Sequence, residues 1–254
     1  MAAVGVLYTL RRDADGKLDG PVNKRVYGTF TGYRPLFEWL AEEARKRGYG
    51  RAKFTKVLFV ADGAETIWTL QQHFFPDAEV CLDWYHVVEK LWAAGKAICR
   101  GTRRHRAALE AWVAVQKKRL RQGKVDQVIA TIAGALSSTA VTGPGNKYRR
   151  EVLDRVINHF TENATRMRYK HLRSEDLPIG SGVIEGAVRH LVGVRLDGPG
   201  MRWGRDRAEA VLHLRCVLIN GQWPTPSRPS SLRDRASDFA ADPSQRALTM
   251  RSPS

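Results

Sequence analysis

Val4 to Leu10 (VGVLYTL) carries the short apolar pattern of a strand, and Asn23 to Phe30 carries a second one. The segment between them, RRDADGKLDG, is rich in Asp and Gly, so the pair predicts a hairpin. From Tyr33 to Arg47 the period changes. Leu36, Phe37, Leu40 and Ala44 recur at helical spacing, and Gly48 ends the run. Lys56 to Ala61 is almost continuously apolar, as expected of a strand covered on both faces. Glu65 to Phe74 reads as a helix closed by Pro76, and Ala78 to Leu82 (AEVCL) as the next short strand. Trp84 to Arg100 follows as a helix with Val87, Val88, Leu91, Trp92 and Ile98 on its apolar side. Hairpin, helix, strand, helix, strand, helix is an α/β order in which the later strands run parallel across helical connections.

Beyond Arg100 the strand signals stop. Arg100 to Arg173 predicts helices near His105 to Arg121, Val125 to Leu136 and Tyr148 to Met167, with TGPGNK separating the last two. After LPIGSG, a helix is expected from Val183 to about Leu196. The glycine-rich DGPGMRWG comes next, and then a helix over Arg207 to Ile219. From Pro224 the chain is Pro, Ser, Arg and Asp with little apolar pattern, which predicts a disordered tail.

Charge sharpens this division. The 254 residues hold 42 Lys+Arg and 26 Asp+Glu, a formal charge of +16. The stretch from Arg100 to Arg173 alone carries 17 basic and 5 acidic residues, about +12 of that total. Such a balance points to polyanions, nucleic acid first and an anionic membrane surface second. Each basic helix taken singly is as well explained by a solvated face; three in succession favour a surface that follows phosphates. There is no run of eighteen apolar residues and no signal-peptide pattern. Three scattered cysteines, Cys81, Cys99 and Cys216, give no disulfide framework and suit a reducing cytosol. Cys81 with His86 is too sparse a pair for zinc.

Three carboxylates carry candidate chemistry. Asp62 and Asp83 end the two expected parallel strands, and in open α/β sheets the functional crevice lies outside such ends. Either aspartate can instead be a plain helix cap. Gly63, beside Asp62, permits close backbone approach. Glu185 falls near the start of a helix that Ser181 can cap, where a carboxylate also complements the helix dipole. Converging carboxylates can hold two divalent metals for in-line phosphoryl displacement, and Mg²⁺ needs few of them.

These residues stand in a recognisable arrangement. LFVADGAETIWTLQQHFFPDAEVCLDWYHVVEKLW, with LPIGSGVIEGAVRHLVGVRLDGPGMRW placing Glu185 123 residues after Asp62, resembles bacterial insertion-sequence transposases of the ISKra group, relatives of the Mutator-like enzymes. The resemblance runs from about Val4 to Trp223. It implies an α/β, ribonuclease H-like mixed sheet interrupted by an all-helical insertion, and an Asp-Asp-Glu triad that uses Mg²⁺ or Mn²⁺ to cut and join DNA. The implied organisation is 1–100 as the first part of the catalytic core, 101–175 as the basic insertion, 176–223 as core helices carrying the glutamate, and 224–254 as tail.

Asp62 resembles the second catalytic aspartate and Glu185 the catalytic glutamate, both as metal ligands. Asp83 and His86 occupy the fixed places of the family's Asp/Cys-x-x-His signature. His86 then touches DNA, braces the site, or is simply packed at a helix start. Arg189, one turn beyond Glu185, either binds a phosphate or pairs with that glutamate. Arg202 and Trp203 are candidate DNA contacts, with Trp203 equally explicable as core. The implied partners are transposon ends and target DNA, with a homo-oligomer on that DNA and no membrane, in the bacterial cytoplasm at the nucleoid.

One departure stands out. The family's first aspartate lies on a central strand that precedes the hairpin, and no residue here takes its place; Asp13, Asp15 and Asp19 belong to a turn. The sequence therefore reads as the carboxyl-terminal part of a transposase, lacking its first strand and the amino-terminal DNA-binding region. The expectation is weak or no catalysis in isolation and marginal solubility, because a missing strand exposes an edge. Two alternatives are a truncated remnant that only binds DNA and a ribonuclease H-like nuclease without joining activity.

Overall fold

The structure, a computed structural model, describes residues 2–50, 56–99, 105–193, 196–198 and 200–223. The expected tail and Arg100 lie outside these residues. The fold is α/β, with helices predominating over two small ladders.

The hairpin forms as the pattern requires, with longer strands. β1 (Ala3–Arg12) pairs antiparallel with β2 (Leu18–Thr29), from Ala3 opposite Thr29 to Arg12 opposite Leu18, and the register shifts near Thr9. Asp13 makes the turn: its Oδ1 accepts from the N–H groups of Asp15 and Lys17, and Gly16 supplies a positive φ of 78°. The two faces of β1 differ. On one, Ala3 and Leu7 pack with α1 (Tyr33–Lys46), which sits so close that a Cβ at Gly5 would lie 2.8 Å from Leu36 Cδ1. On the other, Val4 and Val6 join Val26, Ala187, Leu191 and Leu212.

β3 (Leu58–Ala61) and β4 (Glu79–Leu82) run parallel, joined by α2 (Glu65–Phe74). Phe59 bridges the clusters beneath α1 and α3 (Trp84–Ile98), meeting Phe37 at 5.6 Å and Trp68 at 6.0 Å between ring centroids. Among the described residues the β1–β2 and β3–β4 ladders do not hydrogen-bond to each other.

The helical region shares a core with β4. α4 (His105–Arg121), α5 (Val125–Ser137), α6 (Asn146–Glu162) and the short α7 (Tyr169–Ser174) bury Leu109, Leu120, Val128, Ile132, Leu153, Phe160 and Leu172 in one cluster with Leu82, Val87 and Leu91. Tyr169 ties it to the strand by donating its hydroxyl to Leu82 O at 2.9 Å. The expected helix to Met167 stops at Glu162. Asn163 is buried there and turns its amide back to His159 O, and a short 3₁₀ turn over Ala164–Arg166 leads into α7.

Near the carboxyl end, α8 (Gly182–Val188) gives way to a π-helical turn, Arg189–Gly193, instead of running on as one helix towards Leu196. α9 (Arg205–Ile219) packs on β2, where a Cβ at Gly28 would lie 3.2 Å from Leu212 Cδ1. Just past it, the Asn220 side chain pairs with both backbone groups of Val26, accepting at 2.8 Å and donating at 2.9 Å, and so occupies part of the outer edge of β2. No helix among the described residues is long and apolar enough to cross a membrane.

Candidate functional site

Two aspartates follow adjacent strands whose last residues, Ala61 and Leu82, are paired in register. Asp83 directly precedes α3 and is its N-cap, 6% exposed. Its Oδ1 accepts from Tyr85 N at 3.4 Å and from Ser181 N at 2.7 Å, and its Oδ2 accepts from His86 N at 3.1 Å. Asp83 thus caps one helix and anchors the loop that leads into another. Trp84 N donates to Ile179 O at 2.9 Å, fixing the same loop a second time.

The first glycine of GSG has a physical reason, and the second only borders the same ring. A Cβ at Gly180 would stand 2.7 Å from Tyr85 Cε2, and one at Gly182 would stand 3.6 Å from the Tyr85 hydroxyl. The Gly180 backbone thus packs directly on the Tyr85 ring. Ser181 occupies the N-cap position of α8 without a capping side-chain bond. Its ψ of 23° departs from the extended conformation a cap adopts, and its own N–H is committed to Asp83.

Asp62 differs from Asp83. Gly63 and Ala64 separate it from α2, so it cannot cap that helix; Ala64 holds the N-cap position with no side-chain bond. Asp62 is exposed, one carboxylate oxygen accepting from Ala64 N at 3.2 Å and the other free of hydrogen bonds among the described residues. Glu185 is also exposed, on the first turns of α8, and has no ion-pair partner among the described residues. Arg189 is exposed and forms no pair with it, which leaves its guanidinium free for another anion.

A second imidazole beside His86 reaches this corner, and sequence reasoning missed it. His159 of α6 lies against the Asp62–Gly63 turn: a Cβ at Gly63 would fall 2.6 Å from His159 Cε1 and 3.3 Å from its Nε2. Only glycine fits there, and its φ of 101° excludes most side chains independently. His159 meets His86 edge to face at 5.8 Å between centroids. Burial, then the positive charge of Lys90 and the neighbouring His86, push its pKa down to about 4, while Asp62 opposes the shift. The ring is neutral at pH 7, and its Nε2 is buried with no hydrogen-bond partner. Spacing held a signal: His159 is three residues after Val156 and borders the buried stripe of Val152, Val156 and Phe160.

His86 is half-buried at the start of α3, its Nδ1 3.6 Å from Glu89 Oε2. Arg202 is exposed; Trp203 is 42% exposed, so it is not core, and it borders a groove of about 600 Å³ with Phe30, Leu196, Met201, Arg205 and Ala208. Cys81, Cys99 and Cys216 are free, and burial beside Asp83 and Glu79 pushes the Cys81 thiol up to about 12, too high for a thiolate ligand at neutral pH.

Among the described residues one grouping has metal-ligand spacing, and it is none of the carboxylates singled out above: Glu79, His171 and Glu175, whose ligand atoms lie within 4.8 Å of one another. It sits at the amino end of β4, away from Asp83. His171 Nε2 is 3.1 Å from Glu79 Oε1, and Arg168 is 3.7 Å from the same oxygen. Arg168 and the His171 imidazole already engage Glu79, and the cluster pins α7 to the strand.

The basic charge of the helical region divides in two. Arg149 donates to Ala97 O at the end of α3, Arg150 to Leu136 O and Thr139 O at the end of α5, and Arg119 to Thr131. Arg121 lies 4.8 Å over the Trp84 ring and Arg166 4.6 Å over Trp68. These arginines hold the fold. Lys118, Lys124, Lys147, Lys170 and Arg173 are exposed, with no partner among the described residues. The described cations of this region that lack a partner are therefore fewer than its sequence charge suggests.

Comparison with family models, with characterised proteins and with solved structures found no match.

Proposed function

We propose that this chain is part of a DDE-type transposase, with Asp62 and Glu185 as two of the carboxylates that hold Mg²⁺ or Mn²⁺ for cleavage and strand transfer at insertion-sequence ends. The observation that carries the reading is the Asp83 clamp. Asp83 N donates to Ala61 O at 2.7 Å, and Asp83 Oδ1 holds Ser181 N at 2.7 Å. The start of α8, which bears Glu185, is thereby tied to the strand end from which Asp62 emerges. Both carboxylates are exposed hard oxygen donors without cationic partners among the described residues, a donor set that suits Mg²⁺ or Mn²⁺. A bound cation would supply Lewis acidity at the phosphodiester. Asp83 orients the loop and Arg189 offers a phosphate contact, while the exposed lysines of the helical region supply sequence-independent attraction for DNA.

The two ladders support a ribonuclease H-like core in the same way. β1 carries α1 on one face and α8 with α9 on the other, while the outer edge of β2 is partly closed by Asn220. In this reading the antiparallel hairpin and the parallel pair belong to one mixed sheet, and several copies assemble on paired DNA ends.

Electron paramagnetic resonance of Mn²⁺ titrated into the 254-residue chain tests the reading. Asp62→Asn and Glu185→Gln should each weaken binding at least tenfold, while electrophoretic retardation of DNA stays unchanged. Mn²⁺ binding that neither substitution alters overturns the proposed site. DNA retardation without any Mn²⁺ binding favours the second reading, a DNA-binding remnant, for which the exposed lysines alone suffice.

A further inference from the structure

We infer that the cleft between the α4–α5 turn and α7 is a docking pocket for a backbone phosphate of DNA. This rests on the DNA-binding part of the reading above and is independent of the cation site. The cleft measures about 590 Å³, with Gly123 and Asp126 on one wall and Thr165, Arg168, Lys170 and His171 on the other. Unpartnered cations gather around it. Of Lys118, Lys124, Lys147, Lys170 and Arg173, Lys170 lines the cleft, and Lys124 and Arg173 are chain neighbours of the lining residues Val125 and Ser174. Asp126 is the one carboxylate among the described lining residues. The balance of charge therefore favours an anion.

Two of these cations are also held in place. The Arg168 guanidinium lies 3.7 Å from Glu79 Oε1, yet its side chain stays 55% exposed. A guanidinium has five N–H donors, so this one pairing leaves most of them for a second anion. The stem of Lys170 lies along the turn, where a Cβ at Gly123 would stand 3.5 Å from Lys170 Cβ and 3.7 Å from its Cδ. A packed stem has less rotamer freedom to lose when its ammonium is engaged. The Thr165 hydroxyl is exposed and has no hydrogen-bond partner among the described residues, which leaves a neutral donor on the same wall. Held cations and a spare hydroxyl on a concave wall suit a tetrahedral phosphate, whereas a solvated face needs none of them. The mount is rigid: Tyr169 donates to Leu82 O at 2.9 Å and His171 meets Glu79 at 3.1 Å, so α7 is braced on β4 at two points. The chain leaving α7 then runs to Ser181, the residue that Asp83 holds.

Fluorescence anisotropy of a labelled DNA duplex, titrated with the full chain across a salt series, tests the pocket. Lys170→Ala should weaken binding about fivefold and make the slope of log affinity against log salt shallower by about one. Lys170→Arg keeps the charge and should stay within about twofold of wild type, while Asp126→Asn removes the lining carboxylate and should tighten binding about twofold. Lys147→Ala is the control. It deletes an equally exposed charge at the far end of α6, a helix about 25 Å long, and should change affinity by less than about twofold. All four side chains substituted or compared here are exposed, so folding should be retained. Equal losses for Lys147→Ala and Lys170→Ala, or no loss for Lys170→Ala, overturn the pocket. Phosphatidylserine vesicles that bind as tightly as DNA, with the same loss in Lys170→Ala, overturn DNA as its occupant. None of these variants touches Asp62 or Glu185, so Mn²⁺ binding should be unchanged throughout, and the pocket can fall while the cation site stands.

Discussion

Asp62 and Asp83 leave neighbouring parallel strands at the same level, yet the fold uses them in opposite ways. Asp83 meets its helix at once, is buried, and has both oxygens engaged by three backbone N–H groups. Asp62 is followed by Gly63 and Ala64, and those two residues carry it away from the helix start and into solvent. A spacing of two residues converts a cap into an open carboxylate. The contrast separates a carboxylate that braces the loop into α8 from one left open to solvent.

The sharpest way to break this contrast is to remove each carboxylate in turn. Asp83→Ala should destabilise by about 3 kcal/mol, because it deletes a cap and leaves buried N–H groups, including that of Ser181, without an acceptor. Asp62→Ala should cost under about 0.5 kcal/mol, in line with an exposed turn residue. Urea unfolding measures both, and equal losses would erase the distinction.

Much of this fold is legible along the chain because its signals are local. The period-3.6 stripes of α1 to α6 and α9, the hairpin with its Asp-rich turn, and the parallel pair all follow from neighbouring residues. The end of α6 moves because a side chain intervenes, Asn163 turning back on His159 O. Asp62 and Asp83 were visible as strand-end carboxylates, but composition could not assign their opposite roles. That required the Ser181 contact, 98 residues from Asp83. Spacing puts His159 at the border of the buried stripe of α6, but nothing near it in sequence announces the Gly63 turn it covers.

The glycines beside the two strand-end sites offer a smaller test of the same contrast. At Gly63 an alanine would need a φ of 101° and would press on His159 Cε1 and on the buried Leu82 Cδ1 at 2.9 Å. Neither neighbour yields easily, so Gly63→Ala should cost about 2 to 3 kcal/mol. Gly180→Ala meets only the edge of Tyr85, a ring that is 49% exposed and free to swing outward. Its cost should stay near 1 kcal/mol, and the melting temperatures should rank accordingly. The reverse ranking would mean that the loop entering α8, and not the Asp62 turn, is the tighter construction.

The smallest effects separate the cations of the helical region, where the same division between groups engaged by the fold and groups left to solvent recurs. Arg150 donates to Leu136 O at 3.0 Å, which also accepts from Thr139 N, and to Thr139 O at 2.7 Å just beyond α5. Arg150→Ala should therefore cost about 1 kcal/mol and leave the salt dependence of DNA binding unaltered. Lys118→Ala should do the converse. It removes an exposed charge that holds nothing, so the melting temperature should not move. If Lys118 neutralises a phosphate, the slope of log affinity against log salt should become shallower by about one. A shallower slope for Arg150→Ala with none for Lys118→Ala would place the DNA on the arginine side, and the lysines would then be only a solvated face.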